Sequence, residues 1–134
     1  MSIPWSENAA VRRWIFLGYW LLMFAATHVP HIDRFGPESW RDIPHLDKVV
    51  HFGLFAGWVT LAGWLACPGS ARPSSRVIVG LFAAGALYGA FDELTQSLVG
   101  RETSLADYLA DLAGMATVIM IRLRWARRGQ RRKA

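Results

Sequence analysis

Leu87-Tyr-Gly-Ala-Phe-Asp-Glu-Leu-Thr-Gln96 places two acids and an amide at the end of a stretch otherwise apolar enough to cross a membrane. A carboxylate near the centre of a bilayer costs about 2.5–3.5 kcal/mol even on the mildest scale. Asp92, Glu93 and Gln96 are followed by Arg101, and Asp107 and Asp111 then open the next apolar stretch. Several acids in one small greasy chain mark where it works, although they do not name a substrate.

Working outward, four apolar stretches emerge: Trp14 to Val29, Val49 to Cys67, Val77 to about Val99, and Leu105 to Ile121. Each is close to the roughly 20 residues needed to cross the hydrocarbon. Pro30, Pro68-Gly69 and Gly100 punctuate their ends, as helix stops should. The expected architecture is all-α, an integral membrane four-helix bundle with helices at about 14–29, 49–67, 77–99 and 105–121. A short segment, 1–13, precedes it and a basic tail, 122–134, follows. A soluble helical bundle is the alternative. Runs such as Trp14-Ile-Phe-Leu-Gly-Tyr-Trp-Leu-Leu-Met-Phe24 argue against it, being apolar around the whole helix. So do the tryptophans near the ends of the stretches, Trp5, Trp14, Trp40, Trp64 and Trp125. The first stretch, with Arg12-Arg13 before it, also has the outline of a signal peptide, but no small-residue cleavage site follows before His28-Val29-Pro30.

The 134 residues suit a single domain, and the one cysteine, Cys67, excludes an internal disulfide and a cysteine-based metal site. The net charge of +5 is not spread evenly, because seven of the fifteen basic residues lie from Arg122 to Lys133. After an apolar stretch, such a tail suits anionic lipid headgroups better than nucleic acid. With four helices, the N-terminus, the second loop and the C-terminus share one side and carry eleven Lys and Arg; the other side carries four, Arg34, Arg41, Lys48 and Arg101. The positive-inside rule then puts both termini in the cytoplasm. His28, His31, Asp47, His51, Glu93, Gln96, Arg101 and Asp107 fall at the opposite, outward end.

Gly85, Gly89, Glu93 and Gln96 form one stripe on a helix, and the two glycines make a small-xxx-small pair that admits a close neighbour. The stripe that packs therefore turns Glu93 inward. Gly53 with Gly57, and Ala110 with Gly114, repeat the pattern. Asp47 and His51 are one turn apart; Asp47 serves as a helix cap or as a functional group, whereas His51, a turn inside, needs a partner. Ser104-Leu-Ala-Asp107 reads as a capping box, and Asp111 lies one turn deeper, where capping does not explain it. Arg101 suits headgroup snorkelling or a counter-charge for Glu93.

Together His51, Glu93, Gln96, Arg101, Asp107 and Asp111 would make a polar site at one membrane face. Glu93 and His51, with Asp107 assisting, have the chemistry of an acid/base pair. Asp47, Lys48, Asp92, Gln96, Arg101 and Asp111 offer a binding surface for a phosphate or polar headgroup. A histidine with carboxylates also suits a hard divalent ion, but no metal-ligand motif accompanies it, so no metal and no cofactor are expected. An ion pathway is disfavoured, since the cytoplasmic half (Trp58, Val59, Leu61, Ile78, Val79, Leu81, Phe82) is nearly all apolar.

Asp47-Lys48-x-x-His51-Phe52, Tyr88-Gly-Ala-Phe-Asp92-Glu93-x-x-Gln96 and Gly100-Arg101-x-x-Ser104-x-x-Asp107-x-x-x-Asp111-x-x-Gly114 resemble, in order and spacing, the VanZ-like family of small membrane proteins. The resemblance covers about residues 28 to 121; it departs at Asp111, where the family usually has Asn. It implies a multi-pass protein of the bacterial cytoplasmic (inner) membrane with an envelope function, because the founding member is associated with teicoplanin resistance. The partners it implies are membrane lipids and a lipid-linked wall precursor or glycopeptide, with no nucleic acid. Some relatives carry a phosphotransbutyrylase label, but no acyl-phosphate or coenzyme A site is legible here.

Overall fold

The computed structural model describes residues 8–29, 37, 43–68 and 73–131. Trp5, Pro30, His31, Arg34, Trp40, Arg41, Gly69, Arg72, Arg132 and Lys133 lie outside the described residues. Four α-helices make up the described chain: α1 (Ala9–His28), α2 (Leu46–Ala66), α3 (Ser75–Gln96) and α4 (Leu105–Arg131). A 3-10 turn, Ser97–Val99, extends α3.

Three of these segments, Ala9–His28, Leu46–Ala66 and Ser75–Val99, are long and apolar enough to cross a membrane. At 1.5 Å per residue, 20 residues span roughly the 30 Å of hydrocarbon. The fourth helix is long enough but carries Asp107 and Asp111 near its start and arginines from Arg122 onward, so it is less uniformly apolar.

The helix ends differ from the apolar stretches for local reasons. Asn8 accepts hydrogen bonds from the amides of Ala10 (2.9 Å) and Val11 (3.5 Å), which starts α1 five residues before Trp14. Arg12 thereby joins the helix, buried, with its guanidinium over the Trp64 ring at 6.0 Å. Nothing stops α4 at Ile121, and it continues helically for roughly three further turns to Arg131. The N-cap of α2 is His45, at a left-handed φ of 61° and with no side-chain cap bond. The capping role open to Asp47 is therefore not taken; the residue lies in the first turn.

Pairs along the helices give the topology. Trp20 meets Tyr88 and Thr27 meets Asp92, so α1 and α3 run parallel. His51 meets Asp111, and Gly63 lies against Arg122, so α2 and α4 also run parallel. Gly85 packs on Trp58 and Met115, while further along α3 Glu93 meets His51 and Gly89 lies beside Asp111, which makes α3 antiparallel to both α2 and α4. The α2–α4 contact is the most extensive. Gly114 permits it: a Cβ there would collide with the Phe52 backbone. Gly57 does the same against Tyr19, whose hydroxyl donates to the Leu54 carbonyl at 2.8 Å. Gly53, expected to act with Gly57, faces open space.

The molecule is inside-out relative to a water-soluble bundle. Among the described residues six apolar side chains are buried, Met23, Phe55, Trp58, Val59, Ala62 and Met115, against eight polar ones, Arg12, Thr27, His51, Asp92, Glu93, Gln96, Asp107 and Asp111. Leu21, Leu87, Leu94, Leu98 and Leu105 are each more than two-thirds exposed. Burying such a side chain is worth about 1.5–3 kcal/mol, so this surface fits hydrocarbon rather than water, and marks a membrane protein.

Candidate functional site

Asp92 and Glu93 are consecutive on α3, and helical geometry sets consecutive side chains about 100° apart. They therefore serve different neighbours. Asp92 turns toward α1, and Glu93 toward α2 and α4.

Around Asp92 every acceptor is matched. Its Oδ1 accepts from the Thr27 hydroxyl at 2.9 Å and, at 3.4 Å, from Tyr88; its Oδ2 accepts from the Gln96 amide at 2.9 Å. Thr27 has one hydroxyl proton, and the carboxylate is its stronger acceptor. His28 Nδ1 lies 3.0 Å from both Thr27 Oγ1 and the Phe24 carbonyl, so that nitrogen is the donor, and Nε2 reaches Thr95 Oγ1 at 2.9 Å. The ring stacks on Phe24 with centroids 3.9 Å apart. Arg101 donates to the carbonyl oxygen of Thr27, completing the clamp between α1 and the end of α3.

The second cluster joins three helices. His51 Nδ1, on α2, lies 3.0 Å from Asp111 Oδ1 on α4 and 3.7 Å from Glu93 Oε1 on α3. All three residues are buried. Glu93 Oε2 accepts from the amide of Ser104 at 2.8 Å, at the start of α4, where the helix end favours an anion. That bond depends on the preceding turn. Gly100 adopts φ 77°, and the amide of Arg101 returns to the Gln96 carbonyl at 3.1 Å, reversing the chain onto α3. At the rim, Lys48 bridges Asp47 at 2.8 Å and Asp107 at 3.2 Å.

Three buried carboxylate oxygens of this cluster, Glu93 Oε1, Asp107 Oδ1 and Asp111 Oδ2, have no hydrogen-bond partner among the described residues, and of these Asp107 Oδ1 is answered by its ion pair with Lys48. One imidazole faces two carboxylates. One donor atom from each of His51, Glu93 and Asp111 can be chosen so that all lie within 4.8 Å of one another, the arrangement among these residues that suits a metal ion.

The structure thus brings His51, Glu93, Asp107, Asp111, Lys48 and Asp47 together. It sets Asp92, Gln96 and Arg101 in the neighbouring network with Thr27. Two expected pairings are replaced. Arg101 is bound to the Thr27 carbonyl and makes no pair with Glu93. The Ser104–Asp107 box forms by half: Asp107 N–H donates to Ser104 Oγ at 3.3 Å, but the acid that receives the Ser104 amide is Glu93. Asp107 is thereby released to Lys48. Residues the motif reading did not include are Thr27 and Thr95; their signal was a hydroxyl beside each polar anchor, which alone distinguishes nothing.

No protein-family model, no curated protein and no solved structure matches this chain.

Proposed function

We propose that this is a VanZ-like multi-pass protein of the bacterial cytoplasmic membrane, with four crossing helices, both termini cytoplasmic, and an outward-facing polar site. The site engages the headgroup of a lipid, a lipid-linked wall precursor or a lipophilic glycopeptide. The orientation rests on the distribution of basic residues, and the family on the spaced motifs from Asp47 to Gly114.

The observation that carries this reading is the mismatch in the second cluster. Buried carboxylate oxygens without donors cost several kcal/mol and persist where they do something. Lys48, about one-third exposed beside these acids, supplies a cation at the rim for an anionic headgroup, and the acids inside accept from hydroxyls or amides. No cofactor enters this reading.

A second reading is favoured by one distance set. The His51 imidazole, held between Asp111 and Glu93, has the geometry of an oriented acid/base group. In that case the protein is an intramembrane enzyme acting on a lipid-linked substrate, with Glu93 as general base and His51 and Asp107 assisting. An unbiased lipid analysis of cell envelopes carrying wild type, Glu93→Gln or no copy separates the two. A lipid or precursor that changes only with wild type supports the enzyme. An unchanged profile, with intact lipid co-purifying with wild type, supports binding. No change and no co-purified lipid contradicts both.

A further inference from the structure

We propose that His51, Glu93 and Asp111 form a site for one divalent transition-metal cation of the Zn2+ or Mn2+ class. The inference draws on the same two unpartnered oxygens as the lipid reading and gives them to an ion rather than to headgroup hydroxyls or amides, and metal uptake is read without any lipid ligand.

Three observations converge. First, a ring nitrogen and two carboxylate oxygens, one from each of α2, α3 and α4, lie within 4.8 Å of one another, and two of the separations are 3.0 and 3.7 Å. Ligands at roughly 2.0–2.2 Å from a common ion stand about 3–4 Å apart, so only small side-chain shifts bring all three to one centre. Second, Glu93 Oε1 and Asp111 Oδ2 lack hydrogen-bond partners among the described residues, although Glu93 is 3 % exposed and Asp111 0 %. A buried His–Asp pair alone would account for one carboxylate and not for the second. Third, the charges balance. With Lys48 occupied by Asp47 and Asp107, the inner set is two carboxylates and one imidazole; a divalent ion with a neutral ring brings it to zero.

The surroundings hold the donors in place. The Ser104 amide fixes Glu93 Oε2 and leaves Oε1 to turn inward, the outer-shell arrangement that orients a ligating carboxylate. Gly89 carries no side chain beside Asp111; a Cβ there would stand 3.2 Å from Oδ2. One nitrogen with two oxygens suits zinc or manganese better than copper or an iron–sulfur cluster. Three protein ligands also leave a coordination position open. No local sequence motif announces the set, because its members come from three separate helices.

The test is titration of the tag-free full chain, stripped with EDTA in lipid nanodiscs, with ZnCl2 and separately MnCl2, followed by calorimetry and by thermal unfolding. Wild type should take up one equivalent of at least one of the two metals per chain, and its thermal midpoint should rise with metal. Asp111→Asn and Glu93→Gln, which keep shape, should each weaken uptake by at least about tenfold, whereas Thr27→Val should bind as wild type does. Absence of stoichiometric uptake of both metals by wild type overturns the site, as does equal uptake by both acid variants. Should neither variant fold, X-ray absorption at the edge of whichever of the two metals wild type takes up decides: imidazole scattering beside oxygen ligands supports the site and its absence overturns it.

Discussion

The Asp92 cluster and the Glu93 cluster lie side by side at the same end of the bundle, and they differ in how donors match acceptors. Asp92 has both oxygens bonded, by Thr27 and Tyr88 on one and Gln96 on the other. Glu93 and Asp111 each keep a buried oxygen with no partner among the described residues, and share one histidine. Hydrogen bonds between buried groups hold helices together only when each donor has its acceptor. The first cluster therefore ties α1 to α3. The second is poorly arranged for stability, and its unmatched oxygens are the ground of the proposed site. Two adjacent acids in a sequence can thus have very different surroundings.

The largest effect should come from breaking the matched side. Asp92→Leu strands the Thr27 hydroxyl and the Gln96 amide together, and should lower unfolding stability by about 3 kcal/mol in detergent. A loss below about 1 kcal/mol would erase the contrast between the clusters. Next, Gly114→Ala drives a methyl into the Phe52 backbone, and should cost about 2 kcal/mol by separating α2 from α4. It should also remove the contact between His51 and Asp111, readable as a changed histidine resonance. Thr27→Val removes the bond to Asp92 and the contact with His28, whose Nδ1 keeps the Phe24 carbonyl, for about 1 kcal/mol. Lys48→Gln should leave the thermal midpoint unresolved from wild type, since its pairs lie at the rim, while weakening capture of an anionic lipid.

The helices and the polar end were legible in the sequence, because acids interrupt apolar runs and glycines mark the packed stripe of α3. That stripe predicted the inward turn of Glu93, and Gly85, Gly89 and Glu93 are buried. Partner choice was not legible. Ser104 with Asp107 satisfies the local capping pattern, but the turn at Gly100 brings Glu93 to the same amide, and it takes the bond. Arg101 had acids on both sides in sequence, yet the end of α1 presents a carbonyl at the right place. Thr27 and His28 close an apolar helix and give no hint of Asp92, 65 residues away from Thr27. The run of α4 to Arg131 was hidden because basic residues favour a helix C-terminus without ending it.

The most direct test of the contrast is the unfolding stability of Asp111→Asn against wild type, in the same detergent with a chelator present. Asn retains an acceptor for His51 and removes the carboxylate that His51 cannot neutralise alongside Glu93. The expected result is a variant as stable as wild type or more so. A variant less stable by more than about 1 kcal/mol would show that Asp111 holds the bundle together as Asp92 does, contradicting the division between a structural cluster and a working one.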